Sequence, residues 1–531
     1  MTKKILSAAV LLIAVSALAA PLKIGWATND VSTDKPVHLQ GLGRKRVSQG
    51  LRDPLAVTAL VIDNGEDLVV FNSWDTSCVF GTVAKRVRAE VQKRIPDFPV
   101  EKIVFNAIHT HTGPSTGPTY TDPVSNEYRD MFVDKAADAI VRAWNGRKPG
   151  KIGYGYDFAV TSFSRRPVYS DDIRKRPAKN GHPQTPGLSH DIHARLHGNS
   201  NDKYFSHMEA APDPFVNFLF TYDMNDKLTG VVFNVAFPSQ ISIQDMKLGS
   251  DCWSDVRREL KKEFGDDIYL LPQCAAAGDL TYKIPYYYKA TKRKHQLIHG
   301  RKEAFPGEFE RHRVTEQLMA AFHRTIKWAS RELYSDLPLR HISTTLHLKR
   351  FYATPERIAE AEEYLKQLAE MKKNPPETDP KERKIRLDRI RRAEENCRKV
   401  LALNKDLDKK PTWAMEFHVL RIGEVAFVSE RYELYTDFGQ RIQARSPFTQ
   451  TFTIQLSAGL PDMPGYVAGY LPTARSLPNG GYQSHPVDNR FVPSPEGGQQ
   501  MVDEAVRLLY ELKKDDAKPA KKSPAAPPSA K

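Results

Sequence analysis

The stretch Lys102–Pro114, KIVFNAIHTHTGP, decides how this chain is read. Its first seven residues, Lys102–Ile108, form a continuous apolar run of the kind found in a strand buried on both faces, and such strands belong to α/β proteins. Two histidines follow, and then Gly113-Pro114 turns the chain. In extended backbone, residues i and i+2 point the same way, so His109 and His111 are expected to face one side of a strand end. The crevice beyond the carboxyl ends of strands is where α/β proteins place their ligands. Paired neutral imidazoles suit Zn²⁺, or one binds metal while the other handles protons. A His-x-His pair alone is a weak signal.

The same rhythm extends in both directions. Ala56–Asp63 and Leu68–Asn72 read as a hairpin closed by Asn64-Gly65. Val83–Arg94 is helical in pattern, as is Glu127–Trp144 by its Phe132, Ala136, Ala139 and Ile140 spacing. Leu228–Ala236 and Ile268–Pro272 are apolar strands around a helix at Trp253–Phe264. Phe417–Val428, a helix at Glu433–Gln443, and Phe452–Ser457 repeat the alternation. Together they predict an α/β fold with a largely buried sheet, one large domain over residues 21–512. Residues 353–410 stand apart as an inserted helical hairpin. Its apolar seam is Ile358, Leu365 and Leu368 against Ile390, Ala393, Cys397 and Val400, with Pro375-Pro376 between them. Its charges read as a solvated face.

Composition narrows the function classes. Of 531 residues, 40% are hydrophobic and 27% charged, enough for a substantial core. The 78 basic residues exceed the 64 acidic ones by 14. Lys3 and Lys4 supply two of the excess charges and residues 513–531 four more, which leaves +8 spread over the body. No basic stripe with interleaved aromatics stands out, so nucleic acid is not the expected partner. Lys3-Lys4, the apolar run Ile5–Leu18 and the small residues to Ala20 read as a signal peptide over 1–20, directing export to the periplasm or outside the cell. No later run is long enough to span a bilayer. Residues 513–531, rich in Lys, Pro and Ala, are expected to be disordered. Cys78, Cys252, Cys274 and Cys397 show no Cys-x-x-Cys spacing. They either pair in an oxidising compartment or stand as three buried thiols and an exposed one.

Further candidates for chemistry lie at other strand ends. Gln273–Thr281 (QCAAAGDLT) follows a buried strand with small residues that permit close backbone approach, and Gly278-Asp279 begins a turn. Glu433 opens the helix after the strand ending at Val428, where a carboxylate complements the helix dipole. His190, His193, His197 and His207 sit in a Gly/Asn/Pro-rich stretch without a Glu to complete HExxH, and the first three read as a surface loop.

Taken in order, these stretches resemble the catalytic domain of the neutral (alkaline, non-lysosomal) ceramidases. Lys23–Ala27 and Asp53–Val61 resemble that family's first strands, HTHTGP its THTHSGP, and Ser164-Arg165-Arg166-Pro167 its NRSP. Gly278–Thr281 resembles its GDxS, Glu433 to Gly439 keeps its E-x5-G spacing, and Tyr470–Thr473 resembles its YxTT. The likeness covers most of residues 22–512. It implies one Zn²⁺ held by His109, Glu433 and Tyr470, with His207 or Gln240 as candidates for a fourth ligand. His111 would sit beside the metal-bound water, Asp279 and Thr281 would be catalytic (Thr281 in place of a serine), and Arg165 would contact substrate. The reaction implied is cleavage of the amide of an N-acyl sphingoid base or related lipid-like substrate, with contact to a membrane surface. Two departures stand out. Phe237 occupies the place of the family's second zinc histidine, and the sequence closes on its Lys/Pro tail where well-known members continue into an immunoglobulin-like domain. The alternative expectation is a binding or structural protein on this fold that has lost catalysis with that histidine.

Overall fold

The computed structural model describes residues 21–42, 45–176, 191–373, 379–457, 469–481, 484 and 493–514. The expected signal peptide, His190 and most of the Lys/Pro tail therefore lie outside the described residues. Strands β1 (Lys23–Asp30), β2 (Ala56–Asp63), β3 (Leu68–Trp74), β4 (Ile103–Ala107), β5 (Lys148–Phe158), β6 (Phe215–Asp223), β7 (Leu228–Val235) and β8 (Tyr269–Cys274) form one sheet. Its order is β8-β7-β6-β5-β1-β2-β3-β4. A second sheet holds β9 (Leu339–Lys349), β10 (Thr412–Ile422), β11 (Val425–Ser429) and β12 (Gln450–Ile454), in that order. The α-helices are α1 (Gly81–Arg94), α2 (Pro123–Asn145), α3 (Trp253–Phe264), α4 (Tyr288–His299), α5 (Glu308–Ala329), α6 (Pro355–Lys373), α7 (Pro380–Ala402), α8 (Thr436–Arg445) and α9 (Pro495–Lys514).

The α/β reading holds, and the apolar runs explain the layering. Phe71, Val104, Val232 and Leu271 from the first sheet meet Leu420, Phe427 and Phe452 from the second in a buried middle layer. On the outer faces α1 and α2 cover β1–β4, while α3 and α5 cover β6–β8. The second sheet is backed by α8 and α9. Strands sandwiched in this way are buried on both faces, which is why they read as continuous rather than alternating apolar runs.

Within these two sheets three strand pairs are parallel: β3 with β4, β7 with β8, and β11 with β12. Each pair is joined by one α-helix, α1, α3 and α8 respectively, so each is a βαβ unit. Their carboxyl ends converge. Ser73 Oγ donates to the Pro272 carbonyl at 2.6 Å and Asn106 Nδ2 to the same oxygen at 3.0 Å. Asn234 Nδ2 donates to the Thr453 carbonyl at 2.8 Å. The two amides are fully buried, and they stitch the three units together at the end where chemistry is expected.

Local departures have local causes. Phe417–Val428, read as one strand, is the end of β10 and the start of β11, folded back at Gly423, whose φ of +60° suits glycine. The tail's expected start at 513 falls inside α9, where Lys513 pairs with Glu424. All four cysteines are free and buried, so none is the exposed thiol. Burial pushes the Cys78 and Cys274 thiols up to about 12. Helices α6 and α7 pack on each other through Ala361, Leu368, Ile390, Ala393, Cys397 and Val400. Among the described residues no helix is long and apolar enough to cross a membrane.

A buried ion pair ties α1 to the second sheet. Arg88 grips Glu416, which also accepts from His418 Nε2 at 2.8 Å. Burial alone would raise the Glu416 carboxyl, but the bonds from Arg88 and His418 hold it at about 2. A depressed carboxylate contributes stability above its unfolded pKa near 4.3 and loses it as pH falls toward the folded value. We therefore expect Glu416→Gln to lower the unfolding free energy by about 2–3 kcal/mol near neutral pH, with the gap to the parent closing toward pH 2. Denaturant titrations at stepped pH measure it. A gap independent of pH would contradict the pairing.

Candidate active site

The site forms where β4 runs out. Ile108 still donates its N–H to the Trp74 carbonyl at 3.1 Å, but His109 turns to a φ of +68°, a left-handed conformation that a non-glycine residue adopts at a cost of about 1–3 kcal/mol. The two imidazoles thus do not meet by strand alternation, as their spacing predicts. A left-handed bend brings them together, edge to face, with centroids 4.8 Å apart and Nε2 atoms 3.4 Å apart.

His109 Nδ1 lies 2.6 Å from the Ser77 carbonyl. A carbonyl only accepts, so Nδ1 carries a proton and Nε2 is the ring atom turned toward the site. Nε2 faces Glu433 Oε2 at 3.2 Å, within ion-pair distance. His111 is fixed from three sides. Arg46 donates to its carbonyl at 2.7 Å, Gln240 Nε2 lies 3.1 Å from its Nε2, and Gly41 backs its ring. A Cβ on Gly41 would lie 2.5 Å from that imidazole, and its φ of +106° also demands glycine. Burial first, then the charges of His109, Arg46 and Arg165, push His111 well below the usual imidazole range, so the ring is neutral. Its Nδ1 is buried without a hydrogen-bond partner.

Glu433 does not open a helix. It lies in a two-residue strand, Glu433–Leu434, paired in parallel with Tyr470–Leu471, and α8 begins three residues later. The helix dipole is therefore not what places this carboxylate; the pairing is, and it sets Glu433 beside Tyr470. Burial alone would raise the Glu433 carboxyl, but His109, Arg165 and the hydrogen bond with Tyr470 outweigh it and hold it below the usual range. Arg165 reaches in from just beyond the Phe163–Ser164 strand. Its guanidinium carbon sits 5.0 Å from the centre of the Tyr470 ring, Nη2 is 3.9 Å from Glu433 Oε2, and Nη2 donates to the Gly278 carbonyl at 2.7 Å.

The remaining sequence candidates fall around this group. Asp279 accepts from the Thr436 N–H at 2.9 Å and its hydroxyl at 2.6 Å, and so secures the first residue of α8. Thr281 is buried in a two-residue strand paired with Phe163–Ser164, and its Oγ1 lies 3.5 Å from the Lys283 nitrogen. Phe237 is fully buried in the core beneath α3 and α5. His207 is exposed on the Phe205–Met208 strand, bonded to Ser206 rather than to the group. His193 Nδ1 bonds the Asp171 carbonyl at 2.9 Å. The structure thus gathers His109, His111, Gln240, Arg165, Glu433 and Tyr470, and leaves His207 outside. No cluster of three or more His, Cys, Asp or Glu suited to a metal occurs among the described residues.

Sequence reasoning misses several supporting groups. Gln455 Oε1 accepts from both Leu434 N–H at 3.0 Å and Ala277 N–H at 3.2 Å, joining the Glu433 strand to the Gly278 loop. Glu430 is wholly buried and its carboxyl is raised well above the ordinary range, chiefly by burial. Nothing local in the sequence marks Ser77, Arg46 or Gln455, whose roles exist only through contacts far apart along the chain. Gly41, in the run Gly41-Leu42-Gly43, is a readable sign, since glycine outside regular structure often serves a positive φ.

No protein-family model matches the chain, and no curated protein sequence does. Solved structures do match. One described as a ceramidase complexed with C2 has 15% identity and a TM-score of 0.60, covering 94% of this chain and 77% of its own. The neutral ceramidase from Pseudomonas aeruginosa has 15% identity and a TM-score of 0.58, covering 93% and 75%. The fold is that of these ceramidases.

Gly278 offers a direct check on the packing of the site. A Cβ there would stand 2.3 Å from the Glu433 carbonyl oxygen, a backbone atom with no rotamer to yield. Gly278→Ala is expected to lower stability by about 1–3 kcal/mol and to move Glu433 with it. Thermal unfolding measures the first effect; an unchanged midpoint would mean that the two segments do not touch.

Proposed function

We propose that this chain is a zinc-dependent hydrolase that cleaves the amide bond of an N-acyl sphingoid base or a related lipid-like amide. The observation that carries this reading is the 3.2 Å approach of His109 Nε2 to Glu433 Oε2 while Nδ1 is tied to the Ser77 carbonyl. Two acceptors that face each other in a buried place repel unless a cation or proton lies between them. Ligands bonded to zinc at 2.0–2.2 Å in a tetrahedron stand about 3.4 Å apart, so the residues present fit the ion. His109, Glu433 and Tyr470 are the donors that would hold it, with Gln240 nearer than His207 for the fourth place. A bound zinc supplies Lewis acidity, lowering the pKa of coordinated water to about 7 and polarising a carbonyl.

The chain's own groups supply the rest. Neutral His111 offers Nε2 as a proton acceptor next to His109 and can return that proton to a leaving amine. Arg165 places a buried cation by the same centre, where it favours a developing oxyanion. Its bond to the Gly278 carbonyl keeps the guanidinium oriented. The ceramidase names of the two structural neighbours support an N-acyl lipid as substrate. Export through the leader belongs to the same reading, and mass spectrometry should find a mature N terminus near Pro21; a retained Met1 would refute it.

One observation favours a second reading. Phe237 stands in the place of a zinc histidine and is packed in the core, so it cannot contribute a ligand. On that reading the chain binds lipid without cleaving it. His109→Ala and Glu433→Ala separate the two. Parent protein with near-stoichiometric zinc, and variants that lose both zinc and most hydrolysis of a short N-acyl sphingoid, about a hundredfold or more, support the hydrolase. Variants that keep their zinc refute the ligand assignment. A metal-free, inactive parent that still binds lipid establishes the second reading.

A further inference from the structure

Beyond Tyr282, which still packs against the core, the chain runs along the surface. From Tyr282 to Lys302 it carries seven basic residues and no Asp or Glu. This is the basic stripe with interleaved aromatics that the whole-chain charge average conceals. Helix α4 lies within it and has no buried residue. Large apolar and aromatic side chains stand outward: Tyr287 and Tyr288 are 75% exposed, Leu297 68%, Ile298 59% and Tyr286 48%. Between them Lys289, Lys292, Arg293 and Lys294 are all exposed. Of the acidic residues that follow, Glu303 accepts from the Phe309 N–H, while Glu308 pairs with Arg301 and Glu310 with His295 at the inner end of the segment, away from Lys289, Lys292, Arg293 and Lys294.

The segment is nevertheless anchored. His299 stacks on Phe309 with centroids 4.0 Å apart, and His295 Nε2 lies 3.2 Å from Glu310. Both partners belong to the first turn of α5. The residue before that helix, Gly307, packs against Ile241, the neighbour of Gln240, and Gln240 touches His111. At its other end the segment continues directly from Thr281. The patch is thus tied to the candidate site at both ends.

We propose that Tyr286–Ile298 is a docking element for a bilayer surface rich in anionic headgroups. Tyrosines suit the interface, where the ring is apolar and the hydroxyl is wet, and Leu297 and Ile298 supply aliphatic surface to bury among acyl chains. The clustered Lys and Arg draw the helix to negative headgroups, and that attraction weakens with salt. A strand of nucleic acid would also be attracted by charge, but the helix has no groove in which bases stack, and Leu297 and Ile298 offer no stacking face. The inference rests on the proposed lipid substrate and states its physical form: an amide lipid presented in an anionic membrane rather than dispersed in water.

The test is co-sedimentation of the full mature chain with vesicles of phosphatidylcholine alone or with one-third phosphatidylserine. The parent is expected to bind the anionic vesicles about tenfold better or more, and raised salt to release it. Reversal of Lys289, Lys292, Arg293 and Lys294 to Glu should remove this preference. Serine at Tyr287, Tyr288, Leu297 and Ile298 should leave only weak, fully salt-sensitive binding. Both variants should hydrolyse a water-soluble short-chain N-acyl substrate at the parent rate. Equal binding to both vesicles, or retention of a single-stranded oligonucleotide with no vesicle binding, overturns the proposal. Vesicle binding without hydrolysis sinks the reaction and leaves the docking element standing; hydrolysis without vesicle binding does the reverse.

Discussion

A histidine Nε2 and a carboxylate oxygen face each other across 3.2 Å in the interior of this protein, and much of the surrounding structure keeps them there. Their residues are 324 positions apart (433 − 109) in the sequence. His109 is held by a left-handed bend and by the Ser77 carbonyl; Glu433 is held by strand pairing to Tyr470. Behind each stands a parallel strand pair whose carboxyl end points at the same place. Buried amides of Asn106, Asn234 and Gln455 tie those ends together. A buried polar network of this sort is costly when half satisfied, so its connected bonds hold His109 and Glu433 in place beside Arg165 and Tyr470.

Most of the fold is readable because it depends on burial. Strands covered on both faces are apolar throughout, and helices between them show a 3.6-residue period, so Trp253–Phe264 and Ala56–Asp63 are found at the residues expected. What the pattern misses is local conformation that tertiary contacts override. Gly423 looks like one residue within an apolar run, and only its positive φ folds β10 back on β11. Glu433 looks like a first-turn helix acid, because a carboxylate just ahead of a helical pattern is usually that; its pairing with Tyr470 is invisible without the fold. Spacing identifies His109 and His111 as neighbours but by the wrong geometry, since a strand's alternation does not survive past Ala107.

Averaging hides the charge. A body excess of +8 looks unremarkable when spread over the chain, and the informative feature is where acids are missing. Tyr282–Lys302 has none, and it follows directly on the buried Thr281. Apolar residues there cannot be recognised as exposed from sequence, because Leu297 and Ile298 at helical spacing read equally well as a core face. The positions of His295 and His299 on Phe309 show which side of α4 faces inward.

The central claim is that the His109–Glu433 contact is a cation site, and anomalous diffraction at the zinc edge tests it most directly. Crystals of the mature chain grown without added metal should show a single strong peak within about 2.0–2.2 Å of both His109 Nε2 and Glu433 Oε2. Its anomalous signal should vanish in data collected just below the edge. A clean map with no peak there, in crystals where both side chains are well ordered, would contradict the account and leave the two acceptors sharing a proton instead.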